Sequence, residues 1–439
     1  MEAVVFNGPW TIDIERRPKP TLAEPTDAIV KVTTAGICGS ELHMYRGHQK
    51  SGTGHIMVST GRRCAPFLSM AQRDLVPEPE PEPEHRALSI EHCNPSIFLG
   101  VKFPERLLTH PSQGHEFVGY IEEVGSAVHH FKTGQKVVCT FAPVCMSCFF
   151  CQNGYTNRCP KGLAPFGTQG LAGGQAEYVR VPYADGTLHH APESVPDELL
   201  IMMSDIFPTG YYGAIRAIEY FDLSPSLSNG DAQSHTISNS ITGTTTTTTT
   251  HAASKSKQPL SSAVFVCLGC GPVGLCAILT ARSKGVRTIY VVDSVDDRLE
   301  QAAKLGGIPL KLGKDDIPAI IKEVTDGRGA DAVIEVVGNT TALRSAFDLL
   351  RPAGVLSSLG FHQGDLPFSA LECYQKSLNI NLGRAPVRTV FDEALEVLAA
   401  NKDKMSNMIT HRLPLSEAAK GYEMFEKQQA RKVILIPGQ

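Results

Sequence analysis

Two hydrophobic rhythms divide the chain. Residues 1–57 and 114–200 carry short apolar runs such as DAIVKVTTAGIC, GHEFVGYIEEVG, GQKVVCTFAPVC and AEYVRVP, broken by frequent Gly and Pro. Runs of this length, rich in β-branched residues and bounded by turn formers, predict the strands of a β-rich domain. From about residue 262 the pattern changes. VFVCL, TIYVVD, DAVIEVVG, GVLSSLG and LNINLG are apolar strand candidates, and DDRLEQAAKLG, IPAIIKEVT and TALRSAFDLL between them have helical periodicity. Strands alternating with helices predict a parallel sheet covered by helices. After about residue 386 an amphipathic helix, TVFDEALEVLAANK, leads to a last strand, KVILIP. The expected class is α/β, a β-rich domain joined to a doubly wound parallel sheet.

Two segments fit neither rhythm. Residues 223–262 are Ser/Thr-rich and poor in apolar side chains, which predicts a disordered surface loop. Residues 58–113 contain four Pro-Glu dipeptides in a row, Pro77 through Glu84, which suit an extended, solvated linker. Cys64, His85, His92 and Cys93 lie in that segment at scattered spacings that do not make a metal motif.

Composition narrows the function classes. A chain of 439 residues has room for two domains. A formal net charge of −4 gives no basic footprint, so neither nucleic acid nor an anionic membrane is the expected partner. The N-terminus, MEAVVFNGPWTIDIERRP, lacks a basic region followed by an apolar one and does not read as secretory. The most apolar window, SSAVFVCLGCGPVGLCAILTA, is interrupted by Gly and Pro and does not read as a membrane span. A cytoplasmic location is expected, and there the clustered members of the twelve cysteines point to metal before disulfides.

The densest cluster is CMSCFFCQNGYTNRC, with Cys145, Cys148, Cys151 and Cys159 spaced C-x2-C-x2-C-x7-C. Four thiolates on one loop can enclose one Zn²⁺ tetrahedrally, leaving no open position, so this is a structural zinc candidate. Disulfides or buried free thiols are the alternatives.

Gly269-Cys270-Gly271-Pro272-Val273-Gly274 follows the strand VFVCL and opens the helix PVGLCAILTARSKG. In that strand–turn–helix setting, GxGxxG predicts a dinucleotide site with the pyrophosphate at the helix N-terminus. The next strand ends at Asp293, 19 residues after Gly274. A carboxylate there accepts from the ribose 2′-OH and repels a 2′-phosphate, favouring NAD over NADP. Arg298 is the nearby cation that would suit NADP. Cys267, Cys270 and Cys276 read as small buried side chains.

Cys38 in GICGSELHMYRG and His115 in GHE are candidates for a second zinc, of the catalytic kind with three protein ligands and one open position. With Gly114-His115-Glu116 followed by Gly119, Gly125 and Val128, the chain resembles the zinc-dependent alcohol dehydrogenases of the medium-chain dehydrogenase/reductase superfamily. The cysteine quartet is similar to that family's structural-zinc lobe, and GxGxxG to its cofactor domain. The resemblance implies a GroES-like catalytic domain (1–206 and 386–439) and a Rossmann domain (207–385). It implies Cys38 and His115 as catalytic zinc ligands. Asp205, in SDIFPTGYYGA, stands where many members have Cys, as in the formaldehyde-dehydrogenase-like branch. It implies a proton relay of Ser40 and His43, and Glu116 as a residue that approaches the zinc when water or substrate leaves. It also implies Arg431 as a contact of the cofactor pyrophosphate, and a homo-oligomer, dimer or tetramer. Taken singly, His43 can also be read as a surface histidine and Asp205 as a helix cap.

The expected activity is hydride transfer between a small-molecule alcohol, giving an aldehyde or ketone, and NAD. A polyol or amino-alcohol dehydrogenase of the same superfamily, or a zinc-stabilised nucleotide-binding protein without turnover, are the alternatives. Cys38 and His115 are 77 residues apart, and without the 56 residues 58–113 the gap is 21, which resembles the family spacing. The excess is either an inserted surface loop, cheap in closure entropy, or an intron translated in frame. Val58-Ser59 admits a donor-like GTGAGT, Leu108-Thr109 a branch-point-like CTAAC and Gln113 an acceptor-like CAG.

Overall fold

A computed structural model describes residues 1–47, 113–162, 164–168, 170–222 and 257–439. Of the two segments that break the sequence pattern, 58–112 and 223–256 lie outside the described residues, and with them the loop and intron readings. Gln113, the last residue of the excess, is built into the β-rich domain. Its N–H donates to the Val4 carbonyl (2.9 Å) and its carbonyl accepts from the Gln175 N–H (2.8 Å). Residues 257–262 of the Ser/Thr-rich loop are also ordered, with Leu260 buried and Pro259 bridged to Asp222.

The chain opens with a hairpin of β1 (Glu2–Gly8) and β2 (Thr11–Arg16). Then come β3 (Ala28–Ile37), the one-turn helix α1 (Leu42–Tyr45), β4 (Phe117–Val124), β5 (Lys136–Cys139), β6 (Tyr178–Val181) and β7 (Leu188–His190). In β4, Phe117, Val118 and Ile121 are buried whereas Tyr120, Glu122 and Glu123 face water, as expected of an antiparallel sheet with one wet face.

Helix α2 (Ile206–Ile218) leads into the second domain. Its strands are β8 (Val264–Leu268), β9 (Thr288–Asp293), β10 (Ile308–Lys311), β11 (Ala330–Glu335), β12 (Leu350–Ser358) and β13 (Asn379–Leu382). They form one sheet in the order β10-β9-β8-β11-β12-β13, with every pairing parallel. β8 and β11 are buried along their whole length, which explains their unbroken apolar sequences. The sequence pattern missed β10, IPLK, because this edge strand leaves Ile308 and Pro309 exposed and so shows no apolar run. Chain order reverses between β8 and β11, and ligands of such sheets bind beyond the strand ends at that point. After α3 (Pro272–Ser283), α4 (Asp296–Lys304) and α5 (Val387–Ala400), the chain returns to the first domain. There β14 (His411–Pro414) and β15 (Val433–Ile436) complete a sheet ordered β14-β15-β3-β4-β5-β7, with β6 also on β3.

Helix α2 couples the domains. It packs on α3 so closely that a side chain at Gly210 would stand 2.6 Å from Cys276 Cβ and from the Val273 carbonyl. One apolar cluster runs from Cys38, Val118 and Phe141 through Phe207 and Tyr211 to Phe265 and Ile334. Among the described residues, no helix is long and apolar enough to cross a membrane.

Candidate active site and metal centres

Three distant parts of the chain meet where α2 begins. Cys38 ends the β3 run, His115 precedes β4, and Asp205 stands before the first residue of α2. Cys38, His115, Asp205 and Glu116 each offer a ligand atom, and these atoms lie within 4.8 Å of one another. His115 Nε2 is 3.4 Å from Asp205 Oδ2, and Cys38 Sγ is 4.0 Å from the same oxygen. Zinc bonds of roughly 2.0–2.3 Å in tetrahedral directions set ligand atoms about 3.3–3.8 Å apart, so the donor set fits the ion in size and type. Asp205 does not cap α2: its side chain bonds no backbone N–H there, and Oδ1 accepts instead from the Thr209 hydroxyl (2.9 Å). That removes the capping alternative for this residue.

Ser40 stands beside this set, its hydroxyl 3.4 Å from Cys38 Sγ and 3.5 Å from His115 Nε2. His43 lies on α1, its amide bonded to the Ser40 carbonyl (3.2 Å). Its ring meets Phe361 of the nucleotide domain edge-to-face, 5.7 Å between centroids. The relay candidates therefore face the seam between domains.

The sequence reading missed the residues that hold the ligands. Glu41 is fully buried, and its Oε1 pairs with His115 Nδ1 (2.9 Å) while also accepting the His115 amide (3.1 Å). Its Oε2 accepts from Cys38 N, Gln175 Nε2 and Tyr422 OH, each at 3.1 Å. A carboxylate on the far nitrogen fixes the tautomer and direction of a metal-binding imidazole. The signal was in the sequence, since Glu41 directly follows Ser40 and a ligating histidine needs such a partner. Gln175 and Tyr422 gave none, because only folding brings them near. Burial by itself would push His115 down, but Cys38, Glu41 and Asp205 together raise it well above the usual imidazole value. The same negative surroundings favour a cation at Nε2.

Glu116 is fully buried and ion-pairs with Lys432, itself buried beside the Ile37 carbonyl. Burial raises the Glu116 pKa, against the pull of Lys432 and His115. Its Oε1 is buried with no hydrogen-bond partner. A bare carboxylate oxygen beside three potential ligands is what a nearby cation would satisfy.

The cysteine quartet is compact. Cys148 and Cys151 sulfurs are 3.5 Å apart, as are those of Cys145 and Cys159, and all four lie within 4.8 Å of one another. These separations exclude disulfides, which need about 2.05 Å, and match the edges of a zinc–sulfur tetrahedron. The lobe is fastened to the start of α5: Thr389 Oγ1 donates to the Gly154 carbonyl (2.8 Å) and lies 3.0 Å from Thr156 Oγ1.

At the dinucleotide turn each glycine has a separate reason. Gly269 has φ +95°, a conformation disfavoured for other residues. A side chain at Gly271 would meet nothing within 4 Å, so the turn is open on that face. One at Gly274 would lie 2.0 Å from the Gly269 carbonyl, so α3 could not pack on β8. Pro272 and Val273 begin α3, whose N-terminal N–H groups face the turn. Asp293 closes β9, accepting from Cys270 N (2.8 Å) and Val295 N (2.9 Å), with Arg298 3.7 Å away. Arg431 is engaged by Asp297 (2.8 Å) and the Asn407 carbonyl, so contact with a pyrophosphate would require that pair to open. Cys267, Cys270 and Cys276 are buried, and desolvation raises all three thiols, Cys267 to about 12.

Comparison with known proteins agrees with this geometry. The alcohol dehydrogenase GroES-like domain profile matches residues 86–193, and the zinc-binding dehydrogenase profile matches 272–400. Zinc-type alcohol dehydrogenase B of Aspergillus flavus is 37% identical over 441 residues, covering all of this chain and 82% of that protein. A medium chain reductase/dehydrogenase, ucsI, of an Acremonium species is 39% identical over 378 residues, covering 85% of this chain and 98% of that one. The solved alcohol dehydrogenase of Thermus sp. ATN1 superposes with a TM-score of 0.74 at 28% identity, with each chain fully covered. The chain belongs to the zinc-dependent alcohol dehydrogenases of the medium-chain dehydrogenase/reductase family and is an alcohol oxidoreductase with a GroES-like domain and a nicotinamide-binding Rossmann domain.

Proposed function

We propose that the chain oxidises an alcohol reversibly with NAD, using one catalytic zinc on Cys38, His115 and Asp205 and one structural zinc on Cys145, Cys148, Cys151 and Cys159. The observation that carries the reading is the convergence of Cys38, His115 and Asp205 beside the Ser40 hydroxyl. When bound, zinc supplies a Lewis acid for the alcohol oxygen, and the nicotinamide accepts the hydride. Ser40 takes the alcohol proton, and His43 at the domain seam passes it outward. Glu41 keeps His115 Nδ1 protonated and its Nε2 free to ligate. Glu116, tethered by Lys432, would be the residue to approach a bound zinc when substrate leaves. NAD is favoured over NADP because Asp293 puts a carboxylate at the end of β9, with Arg298 drawn toward it. Gly269, Gly271, Pro272, Val273 and Gly274 would hold the pyrophosphate, with Arg431 turning in from its Asp297 pair.

The finer placement follows the same reading. Asp205 as third ligand suits the formaldehyde-dehydrogenase-like branch. The catalytic domain comprises 1–206 and 386–439, the cofactor domain 207–385, and the location is cytoplasmic. The chain assembles as a homo-oligomer through the edge of the nucleotide-binding sheet. That reading is supported by β13, an edge strand, and by exposed Leu366, Leu371, Tyr374 and Leu382 around it.

Metal analysis with a cofactor panel tests the proposal. Two zincs per chain and alcohol-dependent NADH formation are expected, with Asp293→Ser lowering the NAD over NADP preference by about tenfold. One zinc per chain with nucleotide binding but no turnover would overturn it.

A further inference from the structure

Two arginines, one of them beside this site, make no ion pair among the described residues. Arg384 follows β13, where the chain crosses back toward the first domain. The three residues after it, Ala385, Pro386 and Val387, are buried, but Arg384 is exposed. Its carbonyl accepts from Asn157 Nδ2 (2.5 Å), which ties this stretch to the cysteine lobe. Its guanidinium lies over the ring of Phe141, 5.3 Å from the centroid. The Phe141 amide bonds the carbonyl of Ser204 (3.0 Å), the residue before Asp205, so Arg384 and Asp205 share one wall. Desolvation lowers the pKa of Arg384, the Asp205 carboxylate raises it, and Arg158 lowers it further.

Arg158, in the cysteine lobe, is also exposed, and its guanidinium lies against Gly383. Among the described residues neither guanidinium makes a side-chain hydrogen bond or ion pair. Arg46, Arg180, Arg344, Arg351 and Arg412 each hold a carboxylate, whereas Arg282 and Arg388 bond backbone carbonyls instead. The carboxylate that acts on Arg384, that of Asp205, is already taken by His115 and Thr209. Water solvates both groups as they stand, and an anion between them would gain from both positive charges. Guanidinium is the group best shaped to bind carboxylate or phosphate.

We propose that Arg384, assisted by Arg158, binds an anionic group on the substrate, so that the preferred alcohols carry a carboxylate or phosphate a few bonds from the hydroxyl carbon. This rests on Cys38, His115 and Asp205 holding the catalytic zinc. Arg384 is a specificity residue here, since it meets the far end of the substrate and not the reacting carbon.

The zinc-loaded full chain is assayed with NAD on 1-pentanol, 5-hydroxypentanoate and 5-hydroxypentyl phosphate. Pentanoate and pentyl phosphate, which cannot react, are titrated calorimetrically into the same protein. At least one acidic alcohol is expected to show a KM about tenfold or more below that of 1-pentanol, as a charge-assisted pair supplies. R384Q should erase that ratio, R158Q reduce it and R384K keep part of it, while the corresponding non-reacting anion binds R384Q about tenfold more weakly. Which anion responds separates carboxylate from phosphate. Equal KM values for the neutral and both acidic alcohols, or anion binding indifferent to R384Q, would overturn the proposal. So would a change in R384Q confined to the KM for NAD. If no alcohol is oxidised yet the anion still binds through Arg384, the anion site stands and the dehydrogenase reading fails.

Discussion

The two metal clusters are built in opposite ways. The quartet takes four identical ligands from 15 consecutive residues, Cys145 to Cys159. The other cluster takes a thiol, an imidazole and a carboxylate from three separate elements, and a buried network of Glu41, Gln175 and Tyr422 orients two of them. A short loop can close around an ion and leave no position for substrate. A site assembled from remote elements can instead be oriented asymmetrically, with Ser40 on one side and the domain seam nearby. Local encoding suits a structural ion, and tertiary encoding suits chemistry.

Removing one ligand from each cluster separates them most sharply. Cys38→Ser should lower kcat/KM by about 10³-fold or more, roughly 4 kcal/mol, while one zinc per chain remains. Cys148→Ser should instead lower the melting temperature and release the lobe from α5. If Cys38→Ser stays active, the assignment of the open cluster is wrong.

The next largest effect is expected at Lys432. Lys432→Met strands Glu116 as an unpaired buried carboxylate, which should cost about 3–5 kcal/mol in denaturant unfolding. Glu116→Gln in the same chain should recover part of that loss. A single variant within 1 kcal/mol of the parent, roughly the scatter of such measurements, would show that the pair is not coupled to stability.

Proton competition acts on both clusters. At neutral pH the quartet holds protons on Cys151 and Cys159, whose pKa values burial raises, whereas Cys145 is pushed down to about 6 despite burial, by hydrogen bonds from Ser147 and its neighbours. The open cluster holds one on His115, whose pKa is raised. Zinc must displace these protons, so both affinities fall as pH falls. An affinity of either cluster that stays constant in chelator competition as pH falls would count against this. The smallest effect should come from Glu41→Gln, which leaves every ligand in place. It should weaken the open cluster alone by about 10- to 100-fold, as zinc-buffer titration would show.

Legibility in the sequence followed the same division. The strands VFVCL and TIYVVD are observed over the residues read from their apolar runs. GxGxxG and the cysteine spacing were visible because the chain makes those features within one turn or loop. β10 was hidden by its exposure at the sheet edge. Glu41 was visible but unread. Lys432 gives no signal beside its neighbour Arg431, since both precede β15 and only the fold decides which of the two side chains points inward. In the fold Lys432 is buried against Glu116 and Arg431 lies outside with Asp297.

The sequence by itself determined two kinds of domain, a four-thiol loop, a dinucleotide turn with its acidic partner, and the resemblance that pointed to an alcohol dehydrogenase. Each depends on contacts between residues close in the chain, or on a periodicity that repeats along it. Only the tertiary structure decided that Asp205 faces His115 and does not cap α2, that Glu41 holds both Cys38 and His115, and that Arg384, on the wall of Asp205, makes no ion pair among the described residues. These depend on how α2 packs against α3 and on where the returning chain crosses the seam, and no local pattern records that.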